Sequence, residues 1–339
     1  MVWLYQGINT ELVATSDPKP LPSVTIVVSL KNESKNVVSL IHGLKEIDYP
    51  LEKLELILVD DNSTDDTYNI LQRYSNEKVY VVKNKGVGKK QAIETGISLS
   101  KSKWIAVTDA DCNVPKTWIS SMVESITDQV QMILGPVFIQ EKDGFINSLQ
   151  VIEFLGLQGT TAGSAGKGKP VSANAANMLF RKEAFLKVNP YVNNYALKTG
   201  DDQFLLMAIL EEFPTGIVYS LKTESIVITN PVKTWKKYFK QRIRWASKGK
   251  SYSNWFIKAV GLLVFGTSFL IVTSVFSGVI LRNWTPFYIL LTGKLLADLL
   301  VIIPMKSFSN SKFNLFEYIG SGLLYPFVVV YTLIRGLFT

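Results

Sequence analysis

From Ala259 to Leu281 the chain carries no charged residue. That run is long enough to cross the hydrocarbon core of a bilayer as a helix, which takes about 20 apolar residues. Two further stretches, Trp284–Pro304 and Leu315–Ile334, are weaker candidates. The first holds Lys294 and Asp298, four residues apart and so on one helical face, where they can neutralise each other. The second holds Pro326. Buried core helices are the alternative reading, but the clustering of all three at one end favours membrane spans. The 339 residues then leave room for one large domain ahead of them, on a prior of about 100–200 residues per domain.

The net charge of +8 is concentrated. Residues 231–250, "PVKTWKKYFKQRIRWASKGK", contain eight Lys and Arg and no acid, as much as the excess of the whole chain. A basic segment directly before a span belongs on the cytoplasmic side, against anionic lipid heads. Lys306 and Lys312 place the loop between the second and third spans on the same side, so the C-terminus is expected outside. No nucleic-acid motif accompanies the charge, and nucleic acid is not expected as a partner. The sole cysteine, Cys112, rules out an intramolecular disulfide, and His42 is the sole histidine. Zinc sites built on His and Cys are therefore excluded. A metal here must sit on oxygen ligands, which points to Mg2+ or Mn2+. The first 22 residues lack both a basic start and a long apolar run. They read as a lead-in, stiffened by Pro18, Pro20 and Pro22, rather than a signal peptide or span.

From Ser23 short β-branched runs alternate with helical segments. "SVTIVVSL" (23–30), "LELILVDD" (54–61), "KVYVVKN" (78–84) and "KWIAVTD" (103–109) read as strands joined through helices. That pattern predicts an α/β fold with a mostly parallel sheet covered on both faces. Ligands of such sheets gather at the carboxyl ends of the strands. Those ends carry Lys31, Asn32 and Glu33; Asp60 and Asp61; Lys83, Asn84 and a glycine turn; then Asp109 and Asp111. Any one of them is readable as a solvated loop, but four together indicate a charged ligand and a cation.

In "TDAD" two carboxylates one residue apart do not both stay ionised cheaply without a cation beside them. Magnesium suits the pair, because it takes one or two carboxylates and completes its shell with water and phosphate oxygens. "NKGVGKKQAIETG" (84–96) offers close backbone approach and a helix N-terminus with Lys89 and Lys90. It lacks the spacing and terminal hydroxyl of a P-loop. In "TGDDQFLL" (199–206), Asp201 and Asp202 fit either helix-start acids or a general base. "QRIRW" (241–245) lies in an amphipathic stretch where Trp235, Phe239, Ile243 and Ala246 share a face. Its Gln241, Arg244 and Trp245 fit membrane anchors, or a clamp in which Trp stacks on a sugar and Arg holds phosphate.

With Asp60–Asp61, Asp109-x-Asp111, "GDD" at 200–202 and "QRIRW" at 241–245 in that order ahead of membrane helices, the chain resembles inverting, membrane-bound glycosyltransferases of family 2, with the GT-A fold, over about residues 22–250. The resemblance implies a nucleotide-diphosphate sugar donor, a UDP-sugar favoured, and Mg2+ or Mn2+ as cofactor. It places Glu33, Asp60, Asp61 and Lys89 at the nucleotide sugar. Asp109 and Asp111 would meet ribose, diphosphate and metal, and Asp202 would be the catalytic base with Asp201 beside it. Gln241, Arg244 and Trp245 match the element that closes over donor and acceptor. Asn174 and Asn177 in "SANAANMLFRKEAF" match the acceptor side. Relatives commonly carry a span before the first strand, where this chain has only "MVWLYQGI".

The expected organisation is a lead-in (1–22), a GT-A domain (23–230), a basic interfacial helix (231–255) and about three spans (256–339). The expected acceptor is lipid-linked or a glycan, and the expected location is the inner membrane with the catalytic domain in the cytoplasm. Three helices are too few to enclose a polar passage for a long glycan, so addition of one or a few sugars is expected. Alternatives are a polyprenyl-phosphate sugar synthase and a catalytically silent nucleotide-binding membrane module.

Overall fold

A computed structural model describes residues 1–9, 20–197 and 199–338; of the proline lead-in, Pro18 lies outside them. The chain forms two compact units, Thr10–Phe138 with Gly168–Asn230, and Met1–Asn9 with Ile139–Lys167 and Pro231–Thr339.

The first unit is built on β1 (Val24–Leu30), β2 (Leu54–Asp60), β3 (Val79–Lys83) and β4 (Trp104–Val107). Helices α2 (Val37–Lys45), α3 (Thr67–Gln72) and α4 (Lys89–Leu99) connect them. Beyond β4 come β5 (Cys112–Asn113), α5 (Trp118–Val123), β6 (Met132–Leu134) and β7 (Val137–Ile139). After the chain returns at Gly168 follow β8 (Met178–Arg181), α7 (Lys182–Val188), α8 (Asp201–Glu212), β9 (Ile217–Tyr219) and β10 (Val227–Thr229). Seven strands form one sheet in the order β3-β2-β1-β4-β8-β6-β9. The first four are parallel, and β8 runs antiparallel between β4 and β6.

The sequence dictates this centre. β4 is buried throughout, and β1 everywhere except the half-buried Ser29. Such runs suit central strands covered on both faces. The polar exception within β1, Thr25, is satisfied by Ser100 at 2.6 Å and Glu55 at 2.8 Å. Leu30 lies opposite Asp60, and Asp60 opposite Lys83, so three strand ends share a level. From β1 the chain steps outward to β2 and β3, then returns to place β4 on the other flank. The gap between β1 and β4 is therefore a topological switch point, where open α/β sheets bind ligands. A second sheet, β5-β10-β7, pins the segment after Asp111, with Cys112 opposite Thr229.

The second unit is helical: α1 (Val2–Ile8), α6 (Phe145–Gly166), α9 (Trp235–Ser247), α10 (Trp255–Leu281), α11 (Thr285–Ser309) and α12 (Leu315–Leu337). The last three are long and apolar enough to cross a membrane. Side-chain caps start α10 and α12, and α10 begins four residues ahead of the uncharged run. Asn254 accepts the Phe256 and Ile257 amides, and Asn314 with Glu317 forms a capping box. Pro304 and Pro326 lie inside helices that continue past them. Lys294 and Asp298 form the ion pair their spacing predicts. Residues 139–167, within the span expected for the GT-A domain, group instead with the C-terminal helices. Backbone proximity explains the packing of α6 on α1. A Cβ on Gly7 would lie 1.9 Å from the Gly163 carbonyl oxygen, so only glycine fits there.

Candidate functional site

The strand ends of the first unit converge on a set of acids held by few cations. At the end of β2 both Asp60 and Asp61 are buried. Asp61 accepts hydrogen bonds from Asn84 Nδ2 (2.7 Å) and the Gly88 amide (2.8 Å), and pairs with Lys31 Nζ at 3.3 Å. Gly88 holds φ +98°, which is strained for any side-chain-bearing residue. Asp60 accepts from the Ser63 amide through Oδ2, whereas its buried Oδ1 has no hydrogen-bond partner among the described residues. A buried unpaired carboxylate oxygen is costly, and a ligand N–H would satisfy it.

Lys89 opens α4 and joins two motifs that lie 92 positions apart in sequence. Its Nζ donates to Asp109 Oδ1 at 2.6 Å and sits 3.1 Å from Asp201 Oδ2. Burial works to lower the Lys89 pKa, but Asp109 and Asp201 outweigh it and hold the ammonium above the ordinary lysine value. Burial and then the neighbouring Asp109 raise Asp111. Glu33 is raised by burial, opposed by its bond from Asn36, with Asp111 and Asp109 adding to the rise. A raised carboxylate disfavours its own charge, so this rim gains from an added cation.

Donor atoms of Asp109, Asp111 and Cys112 lie within 4.8 Å of one another. Burial, then the two aspartates, push the Cys112 thiol well up, so it stays protonated and the ligands on offer are two carboxylates. That donor set fits a hard divalent cation.

Asp201 and Asp202 form the first turn of α8 behind Gly200, whose φ is +94°. Asp201 is buried against Lys89, with its carbonyl accepting from the Tyr191 hydroxyl at 3.1 Å. Asp202 is half-buried, and its Oδ1 accepts the Gln203 amide at 2.8 Å. Lys90, read from sequence as ligand-facing charge, is buried and donates to the Asn194 and Leu197 carbonyls. Asn174 closes a local turn by accepting the Ala176 amide. The Asn177 side chain accepts from Trp118 Nε1 at 2.8 Å and donates to the Pro136 and Ser225 carbonyls.

Gln241, Arg244 and Trp245 lie on α9, in the helical unit. Arg244 is exposed, and Trp245 is half-buried with its ring 6.2 Å from that of Phe154. Sequence reasoning missed their buried neighbours. Arg242 pairs with Glu153, 89 residues away on a helix the residue pattern did not predict. The only available signal was an acid inside the apolar run "LQVIEFLGL".

The open α/β sheet, with paired acids and a lysine at its switch point, is of the GT-A type. The solved mannosyltransferase PcManGT from Pyrobaculum calidifontis, in complex with GDP-Man and Mn2+, shares that fold. Its TM-score is 0.62 at 16% identity, covering 96% of this chain and 92% of that one. Residues 25–188 match the family model Glycosyl transferase family 2. The probable glycosyltransferase YdaM of Bacillus subtilis (strain 168) is 26% identical over 250 residues, 69% of this chain and 56% of its own. The beta-monoglucosyldiacylglycerol synthase of Synechocystis sp. is 27% identical over 262 residues, 70% of this chain and 50% of its own. The chain thus spans about half the length of these two relatives.

Proposed function

We propose that the protein is a membrane-bound, inverting glycosyltransferase. It moves a sugar from a nucleotide-diphosphate donor, a UDP-sugar favoured, to a lipid-linked or glycan acceptor at the cytoplasmic face of the inner membrane. The observation that carries this reading is the Lys89 bridge, which brings the Asp109–Asp111 pair and the Asp201–Asp202 pair to one place beside the β1/β4 switch point.

Asp60, with its unpaired Oδ1, and Asp61 receive the nucleobase, while Glu33 borders the same rim. Asp109 and Asp111 would hold Mg2+ or Mn2+, which would supply positive charge for a departing diphosphate. Lys89 keeps Asp109 and Asp201 ionised and adjacent. Asp202 takes the proton of the acceptor hydroxyl as its oxygen bonds to the anomeric carbon and the bond to the diphosphate breaks. Asp201 is engaged by the lysine, which leaves Asp202 as the member of the pair suited to accept that proton. Gln241, Arg244 and Trp245 close over donor and acceptor, and Asn174 lies on the acceptor side. Asn177 supports that side through its three hydrogen bonds.

The three apolar helices and the basic α9 support residence at a membrane, with organisation 23–230, 231–255 and 256–339 as the functional division. A lipid acceptor is favoured by the diacylglycerol synthase among the relatives. The three long apolar helices among the described residues favour addition of one or a few sugars over polymer export.

The test is a screen of protein purified in detergent against UDP- and GDP-sugars, with Mn2+, Mg2+ or chelator, reading nucleotide release and product mass. Release with one donor, dependent on the cation and giving short products on a lipid acceptor, is expected. Full turnover in excess chelator, or a ladder of long polymer from the monomer, contradicts the reading.

A further inference from the structure

The helical unit contains a buried ion pair that the scheme above does not use. The side chains of Glu153 (α6) and Arg242 (α9) are each 5% exposed. Arg242 Nε donates to Glu153 Oε1 at 2.7 Å, and Nη2 to Oε2 at 2.5 Å, a bidentate fork. The Tyr238 hydroxyl adds a third bond to Oε2 at 3.1 Å. The remaining Arg242 nitrogen, Nη1, donates to Gln241 Oε1 at 2.5 Å. The guanidinium also lies over three rings, 4.2 Å from the centroid of Trp245, 4.6 Å from that of Tyr238 and 5.9 Å from that of Phe154. Each of the three guanidinium nitrogens thus has a side-chain acceptor, and one face of the group meets Trp245.

A buried ion pair is weak evidence of a stabilising role. Replacing such a pair by apolar residues of similar volume is often neutral or favourable for stability. What an apolar pair cannot do is bond to the Gln241 carbonyl oxygen and fix the plane of an indole. Arg242 does both through a rigid planar fork that lysine lacks. With Oε1 engaged, the Gln241 amide is held in the orientation that offers Nε2 as a donor. The Trp245 ring also lies 6.2 Å from that of Phe154, the residue after Glu153. Two of the three residues read as the closing element are therefore set by one arginine, and that arginine is set by one glutamate.

We infer that Glu153 and Arg242 are positioning residues of the transfer reaction, acting through Gln241 and Trp245 and not through substrate. This rests on the proposed role of Gln241 and Trp245. It assigns the second residue of "QRIRW" the task of aligning the first and last.

The test uses the full chain in detergent and four variants: Trp245→Ala, Arg242→Lys, the double replacement Glu153→Met with Arg242→Met, and that double replacement combined with Trp245→Ala. Arg242→Lys keeps a charge opposite Glu153 but loses the fork, the Gln241 bond and the stacked plane. The double replacement removes both charges together, leaving neither buried alone. UDP release from UDP-glucose and UDP-N-acetylglucosamine gives kcat and KM. Hydroxyl-radical footprinting with mass spectrometry gives the exposure of Trp245 independently of turnover. Both Arg242 variants should keep the wild-type thermal midpoint within a few degrees and bind donor with unchanged KM. Their kcat should fall at least tenfold, and Trp245 labelling should rise several-fold. Trp245→Ala placed on the double replacement should cost little more, because the arginine acts through that ring.

Wild-type kcat in Arg242→Lys, or losses that multiply with Trp245→Ala, overturns the inference while leaving the reading of the closing element intact. Undiminished turnover in Trp245→Ala alone instead overturns that reading. If the double replacement does not fold, or neither donor turns over, Trp245 labelling in Arg242→Lys decides, and unchanged labelling refutes the positioning role.

Discussion

Removing the Lys89 ammonium is the sharpest perturbation of the candidate site, because one nitrogen serves two motifs. Coulomb's law at about 3 Å and an effective dielectric of about 20 gives roughly 5 kcal/mol for one unit pair. Solvent reaches about a third of Lys89 and of Asp109, so that pair is worth a small part of the figure. Asp201 is different, since its side chain is only 7% exposed. Leaving such a charge unpaired costs about 3–5 kcal/mol when burial is complete. With the lysine partly solvated, about 2 kcal/mol is the reasonable expectation for Lys89→Met. For a domain of this size that corresponds to roughly 4–8 °C in thermal midpoint. The assay is thermal unfolding in detergent at neutral pH, with chelator and then with Mn2+. The variant should unfold several degrees earlier in chelator, and Mn2+ should raise its midpoint more than the wild type's, because the cation replaces part of the missing charge. A drop below about 1 °C, or an equal response to Mn2+, would refute the idea that Lys89 balances the acids.

Asp202→Asn should leave donor KM near the wild-type value and lower kcat by about 10²–10⁴, since only the proton acceptor is lost; loss of donor binding instead would place Asp202 elsewhere. Asp111→Asn should weaken Mn2+-dependent binding of UDP at least tenfold by calorimetry, with little effect on UDP binding in chelator. The third outcome concerns Asp65, whose pKa bonds from Thr67 lower to about 2, with burial opposing and Ser34 assisting. A depressed carboxylate contributes stability above its ordinary value and loses it as pH falls through the folded value. The midpoint difference between wild type and Asp65→Ala should therefore be constant above about pH 4 and close between about pH 4 and 2, and a gap that widens on acidification would contradict this.

Much of the sheet unit was legible because its determinants are local. The four parallel strands end within about two residues of the predicted runs, and α8 begins at the paired acids as their helix-start chemistry suggests. The Lys294–Asp298 pair followed from helical spacing alone. The strands from β5 onward were harder, being only two to four residues long, too short for alternation to register. Helix α6 was hidden for another reason. It buries Asn147, Gln150 and Gln158 along with its apolar residues, so no clean apolar stripe marks it. Within the site, the residue pattern identified the acids and the lysine but assigned their charge balance to a metal. The structure pairs Lys89 with Asp109 and Asp201, and no spacing rule connects positions so far apart. Arg242 shows the same limit, for its partner comes from α6, and a basic amphipathic stretch gives no sign of which arginine turns inward.

The central claim is a single in-line displacement with Asp202 as base. The measurement that tests it most directly is the anomeric configuration of the product, read by NMR from proton coupling at the new linkage after transfer from an α-linked UDP-sugar. One displacement predicts a β-linked product from the wild type, formed about 10²–10⁴ times more slowly by Asp202→Asn. An α-linked product from the wild type would contradict the account.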